Sequence, residues 1–416
     1  MNKTIAASIL FASALTSSAF AAEGPVPTGV PPLNHVWLIM MENHGYGQII
    51  TNPNAPYINY LAGAASLATN YLAVAHPSLT NYLEVVGGSN FGIQSDNPPD
   101  WHNFSCANNL STATTNTDNP PSPAVCPISG TGTDAATVAL DTTNEVQGPP
   151  GLTNTNGSLT FAAAKNTVGK SIADQLAEAG LTWKSYQESL PLTGADLINT
   201  SDGVFTNLTD FAQIMPAQTP PLTSADIVSL YASKHNPFVY FQSVQEGYSL
   251  NNTMDNVVGF TGPGGLYADL AAGTVPTFSF IAPNQCNDQH GRGNAGPFCN
   301  YDPNDDGSQA GLNPALIYQG DVTVRTLVNA IKSSPAWRTG NNVLIVMWDE
   351  NDYSNAPNIN QVAVIIDRNY GVPVTSSVGY THFSLLKSIE AGLGLPCLNH
   401  ACDANMSVMS DMFGAQ

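Results

Sequence analysis

Several short segments of this 416-residue chain combine residue types that do chemistry. Glu42-Asn43 sets a carboxylate beside a carboxamide, adjacent hard oxygen donors suited to a cation. Gly45 and Gly47 let the chain turn away at once. Trp348-Asp349-Glu350-Asn351-Asp352 places two carboxylates side by side, and such a pair repels itself unless a cation neutralises it. Asp288 and His290 are separated by one residue in a loop, a spacing that points both side chains the same way in an extended segment. A carboxylate with an imidazole is a common metal pair. His382 follows Thr381, which reads as the N-cap of a helix. The helix dipole there disfavours imidazolium, and neutral imidazole suits a metal ligand or a donor to phosphate. Asp302-Pro303-Asn304-Asp305-Asp306-Gly307 looks like the opening of a calcium loop, but Asn313 stands at the twelfth position, where a bidentate Glu is required. It reads as a turn.

A further segment is Ala75-His76-Pro77-Ser78-Leu79-Thr80-Asn81-Tyr82. Leu79, Tyr82, Leu83 and Val86 recur at helical spacing, and Gly87-Gly88 ends the run. Ser78 therefore lies at or near an N-cap, where a serine ordinarily accepts a backbone N–H bond. The same helix entrance presents free N–H groups and a positive dipole end, which favour an anionic phosphoryl group. A serine so placed is a nucleophile when a metal or base assists its hydroxyl. Asn81, three residues on, lies near the same entrance, where its amide could donate to a phosphate oxygen.

The elements that must hold these residues are partly legible. His35–Met41 and Asn342–Trp348 are nearly continuous apolar runs, as central strands of a parallel sheet should be. Gln361–Ile366 is a third strand; Pro237–Gln242 and Thr277–Ile281 are weaker ones. Helical periodicity marks Ser78–Val86, Lys170–Ala179, Val322–Lys332 and Phe383–Ala391. Alternating strands and helices predict an α/β fold with a central, mostly parallel sheet sandwiched by helices. Glu42 and Asp349 each follow a strand, at the carboxyl end where open α/β sheets bind ligands. Two stretches near 94–166 and 190–224 are rich in Thr, Asn, Pro, Gly and Ser and read as long surface insertions. No linker divides residues 22–416, so we expect one domain.

Composition narrows the function. Charged residues make up 10% of the chain, against about 25% in an average protein. The net charge is −20, which argues against nucleic acid as a partner, since phosphate backbones need basic patches. Lys3, the small and apolar run Ile5–Leu15, and Ala19-Phe20-Ala21 read as a secretory signal over residues 1–21. No later run is long and apolar enough to span a membrane. The expected location is secreted or periplasmic. Six cysteines in an exported chain predict disulfides, and we expect the local pairing 106–126, 286–299 and 397–402.

Taken in order, HVWLIMMENHGYGQII, AHPSLTNYLEVVGGSNFGI, APNQCNDQHG, VMWDEND and GYTHFSLLKSIE resemble the phosphoesterase family of secreted acid phosphatases and phospholipases C, within the alkaline-phosphatase-like superfamily. The likeness runs from about residue 35 to 390. It is nearest to bacterial and fungal acid phosphatases, including phosphatidylinositol 3-phosphate phosphatases. The resemblance implies metal ligation by Glu42, Asn43, Asp349 and Glu350, and a nucleophile at Ser78 with Asn81 beside it. It implies a second cluster of Asp288, His290 and His382, and a histidine, His76, near the nucleophile. The expected activity is hydrolysis of a phosphate monoester through a phosphoserine, with a divalent ion (Ca, Mg or Mn, with Zn or Fe open) and a small phosphorylated substrate or phospholipid headgroup. A phospholipase C-type phosphodiesterase and an exported non-catalytic binding module are the alternatives.

Overall fold

The computed structural model describes residues 23–91, 96, 169–190, 198–200, 230–247, 249–291, 299–304, 306–351 and 360–414. The expected signal at 1–21, Cys106, Cys126 and Asp352 lie outside these residues. So does the 94–166 segment apart from Asp96, and most of 190–224.

In chain order the elements are β1 (His35–Met41), α1 (Tyr46–Ile49), α2 (Pro56–Ala64), β2 (Ser66–Leu72), α3 (Ser78–Gly87), α4 (Ile172–Glu178), β3 (Trp183–Gln187) and β4 (Ile198–Thr200). Then come β5 (Tyr231–Ala232), α5 (Gln242–Glu246), β6 (Val257–Gly259), α6 (Leu266–Ala272), β7 (Phe278–Ala282), α7 (Pro314–Ser333), β8 (Asn342–Trp348) and β9 (Gln361–Arg368). The chain finishes with β10 (Thr375–Ser376), β11 (Tyr380–Thr381), α8 (His382–Leu393) and α9 (Ser410–Phe413).

The main sheet has the order β10-β2-β9-β8-β1-β7-β3-β6, with β11 also pairing with β2. β1 sits inside it, parallel to both β7 and β8. Strands that bury both faces need apolar side chains on both. Val36–Met41 of β1 and Val343–Trp348 of β8 accordingly have no exposed surface. β9 runs antiparallel to β8 and to β2, and the other main-sheet pairings are parallel. The sheet is thus mixed and mostly parallel with helices around it, the expected α/β class.

The register positions the site. Met41 pairs with Trp348, so Glu42 and Asp349 leave the sheet side by side, and the Asp349 N–H donates to the Met41 carbonyl at 3.1 Å. β7 ends at the same edge and leads into the loop of Asp288 and His290. The Glu42 N–H donates to the Asp288 carbonyl at 2.8 Å and ties that loop to β1.

Two expectations need correction. Pro237–Gln242 is not a strand: Pro237–Tyr240 forms a 3₁₀ turn that runs into α5. Pro237 supplies no N–H for a ladder, and the aromatic residues pack inward, with the Phe238 ring 4.6 Å from that of Trp183. The predicted helix Val322–Lys332 is the second half of α7. That helix starts at Pro314, where the Asn313 side chain accepts the Ala315 N–H at 3.2 Å. Cys286–Cys299 and Cys397–Cys402 are paired as expected, each with Cα atoms 5.1 Å apart. Among the described residues, no helix is long and apolar enough to cross a membrane.

Candidate metal centre and nucleophile

Helix α3 begins at Ser78, and its N-cap is Pro77. Proline has no side-chain acceptor, so the serine hydroxyl is not used as a cap, contrary to the simplest reading of the sequence. Instead Ser78 Oγ donates to Glu42 Oε2 at 3.0 Å and lies 3.2 Å from Glu350 Oε1. Ser78, Glu42, Asp349 and Glu350 are all buried. Thr80, two residues along in the same first turn, has its hydroxyl turned back to the Pro77 carbonyl at 2.6 Å.

Glu350 is held from several directions. His76 Nδ1 lies 2.6 Å from its Oε2, and Asn81 Nδ2 donates to the same oxygen at 3.1 Å. Asn81 also donates to the Ala75 carbonyl at 2.8 Å, while its Oδ1 accepts the Val74 and Ala75 N–H groups. Its amide therefore pins the loop before α3 and orients Glu350. It does not stand free for a phosphate oxygen, as the sequence had led us to expect. Asn43 is half-buried beside Glu42.

Asp349 is the least compensated member. It is fully buried, and neither carboxylate oxygen accepts a hydrogen bond among the described residues. Single carboxylate oxygens of Glu42, Asp349 and Glu350 lie within 4.8 Å of one another. Burial, then the Glu42 and Glu350 charges, push the Asp349 carboxyl well above its usual range. Burial likewise raises Glu350, against the pull of His76. Three buried carboxylates around one orphaned acceptor fit a hard divalent cation. The structure thus supports a metal ion here, without fixing its identity.

A second group shares Glu42. His235 Nε2 lies 2.9 Å from Glu42 Oε1 and its Nδ1 3.2 Å from Asp288 Oδ2. The imidazole stacks on Tyr82, with centroids 5.3 Å apart and planes 11° from parallel. Burial opposes its charge, but Glu42 and Asp288 overcome this and raise its pKa to about 9. Glu42 gains in return: burial raises it, and His235 pulls it well below the carboxylate range. Burial lifts Asp288 to about 6. His290 donates its backbone N–H to Asp288 Oδ1 at 2.7 Å. Its Nε2 lies 3.3 Å from Lys234 Nζ. Burial and the Lys234 charge lower it to about 3, so it is a neutral imidazole. Glu42, His235 and His290 also converge closely enough to hold an ion.

His382 stands behind the centre rather than in it. Its Nε2 lies 2.7 Å from the Asp349 backbone carbonyl, which can only accept, so Nδ1 accepts from Tyr71 OH at 3.1 Å. Both ring nitrogens are engaged, and burial lowers its pKa to about 4. Its two ring nitrogens thus contact the Asp349 backbone and Tyr71. Asp302 takes no part in a calcium loop: its carboxylate accepts from His44 at 2.9 Å and from the Asn313 N–H at 2.7 Å.

Sequence reading missed Lys234, His235 and Asp96. Lys234 and His235 lie between the two-residue strand β5 and the turn mistaken for a strand, and neither sequence run marks that strand end. One signal was available: a cation beside an apolar run, in a chain with only 11 Lys and Arg.

A parallel-rich sheet that gathers carboxylates, histidines and a helix-entrance serine at one edge defines a hydrolase site of the phosphoesterase class. The chain belongs to the Phosphoesterase family, whose model matches residues 48–297. It is similar to a phosphatidylinositol-3-phosphatase of Mycobacterium tuberculosis, at 25% identity over 98% of this chain and 92% of that one. It is also similar to an acid phosphatase of Aspergillus fumigatus, at 25% identity over 56% of this chain, but spans only 42% of that protein's length. Among solved structures, a protein in the alkaline phosphatase superfamily from Vibrio parahaemolyticus matches with a TM-score of 0.42 and 12% identity. That match covers 90% of this chain and 70% of the other.

Proposed function

We propose that the chain is a metal-dependent phosphatase that hydrolyses phosphate monoesters through a phosphoserine at Ser78. The observation that carries this reading is the Ser78 hydroxyl, held at 3.0 and 3.2 Å by two carboxylates of an incompletely compensated acidic cluster. Glu42, Asp349 and Glu350, with Asn43 beside them, would hold the cation, which supplies Lewis-acid stabilisation of charge on the transferring phosphoryl group. Ser78 Oγ attacks phosphorus and passes its proton to Glu42 or Glu350, whichever oxygen accepts its hydrogen bond. The bond from phosphorus to the leaving oxygen breaks, and that oxygen takes up a proton. Water then cleaves the phosphoserine to return Ser78 and release phosphate. His290, less buried than His76, His235 and His382 and neutral, is assigned to accept a proton from the attacking water, and the leaving oxygen takes its proton from solvent. His76, Asn81 and His382 act by orienting Glu350 and Asp349.

The similarity to a phosphatidylinositol-3-phosphatase along nearly the whole chain makes a phosphorylated lipid headgroup the first substrate to try. Residues 1–21 would direct export, and the two disulfides suit an oxidising compartment. The test is turnover of p-nitrophenyl phosphate against p-nitrophenylphosphorylcholine, with chelator and with added Mg, Ca, Mn or Zn. Monoester turnover restored by a metal supports the reading. Diester turnover alone would make the chain a phosphodiesterase, and no turnover with any ion would favour a binding module.

A further inference from the structure

Asp96 lies among the catalytic groups although the proposed reaction has no use for it. Its Oδ1 accepts the Leu79 N–H at 3.0 Å, and its Oδ2 accepts from Lys234 Nζ at 3.0 Å. Leu79 immediately follows Ser78 in the first turn of α3, where backbone N–H groups lack helical partners. Lys234 and Asp96 are both more than nine-tenths buried. A carboxylate with one oxygen on a helix N–H and the other on an ammonium repeats the contacts that two phosphoryl oxygens would make there. The fully buried Asp349, with no hydrogen bond to either oxygen, stands in the same group around Ser78.

Electrostatics favours exchange over coexistence. Glu42, Asp288, Asp349 and Glu350 already crowd this space, and the Asp96 charge is one of those that push Glu350 upward. With so few basic residues in the chain, Lys234 is a buried cation joined through Asp96 to the N–H of the residue after Ser78. A phosphoryl group arriving at Ser78 and the Asp96 carboxylate would compete for the same two donors.

We propose that Lys234 Nζ and the Leu79 N–H form a phosphoryl-binding subsite beside Ser78, and that the Asp96 carboxylate occupies it until substrate displaces it. The proposal rests on the phosphatase reading above. Asp96 is then a built-in competitor that sets how much phosphate the enzyme tolerates.

The test is calorimetric binding of inorganic phosphate to the full chain, which needs no turnover and so fails independently of the phosphatase assay. Asp96→Asn keeps an acceptor for Leu79 but removes the competing charge. It should bind phosphate at least tenfold more tightly than wild type, with a lower KM for p-nitrophenyl phosphate. Lys234→Met should bind phosphate at least tenfold more weakly. Equal or weaker binding by folded Asp96→Asn, judged by circular dichroism, overturns the proposal by making Asp96 purely structural. Should Asp96→Asn fail to fold, undiminished phosphate affinity in Lys234→Met overturns it instead.

Discussion

Ser78 Oγ and Glu42 Oε2 lie 3.0 Å apart across 36 residues of sequence, the hydroxyl donating to the carboxylate that follows β1. A serine in the first turn of a helix is usually worth a cap; this one is aimed away from its own backbone. Ser78→Ala should therefore lower turnover of p-nitrophenyl phosphate by roughly a thousandfold or more. Melting temperature and far-ultraviolet circular dichroism should stay close to wild type. Near-normal turnover would move the nucleophile elsewhere.

Asp349 gives a test in which stability and function move in opposite directions. Its buried charge is uncompensated by any hydrogen bond among the described residues. In chelated protein at alkaline pH, where the raised carboxyl is forced to ionise, Asp349→Asn should raise the melting temperature by removing like-charge repulsion. The same variant should lose most of the further rise that a divalent ion gives the wild type by binding the folded state. Thermal melts with and without Mg, Ca or Mn read both effects. A lower melting temperature in the chelated variant would argue against an acidic site awaiting a cation.

His382 supports the centre through the Asp349 backbone. Removing such a support commonly weakens metal binding about 10- to 100-fold. His382→Ala should show that loss in a metal titration of activity, with turnover recovering as metal is raised. A turnover defect that no metal concentration relieves would place the imidazole in the reaction itself.

The metal-free protein should lose stability as pH rises, in two stages. Asp288 is raised from 3.8 to about 6 and His235 from 6.5 to about 9. Raised folded values mean each contribution is complete below the unfolded value and gone above the folded one. The Asp288 stage thus spans about pH 4 to 6, and the His235 stage about 6.5 to 9. Glu42, held low by His235, contributes in the other sense, and its share is lost only as pH falls below its ordinary range. Denaturant melts of chelated protein across pH 4 to 9 measure this, and His235→Gln should flatten the upper stage. An unchanged slope in that variant would assign the dependence to another group.

Parts of this structure could be read early because burial writes plainly into composition. β1 and β8 match their predicted bounds, since a strand covered on both faces must be apolar throughout. The carboxylates that follow them were found by position alone. β2, with Thr69, Asn70 and Tyr71 in its middle, was missed because its polar residues bond sideways; Thr69 Oγ1, for example, donates to the Ser376 carbonyl in β10. The same limit hid Lys234 and His235. Their partners are 138 positions back, at Asp96, and 53 positions on, at Asp288, and no local pattern announces a pairing of that kind. Roles were harder than membership. Spacing singles out Asn81 and His382 as site candidates, but it does not show that their polar atoms are taken up by Glu350, the 74–75 backbone and the Asp349 carbonyl.

The position of β1 has a consequence for biosynthesis. Among the described residues the earliest strand is an interior one, and its partner β8 begins roughly 300 residues later. At ordinary translation speeds of about 5–20 residues per second, that is a wait of about 15 to 60 seconds. Throughout it, His-Val-Trp-Leu-Ile-Met-Met has no neighbour on that side and is exposed to aggregation. The carboxylates of the site cannot come together until that late pairing forms, because Glu42 and Asp349 are set side by side by it.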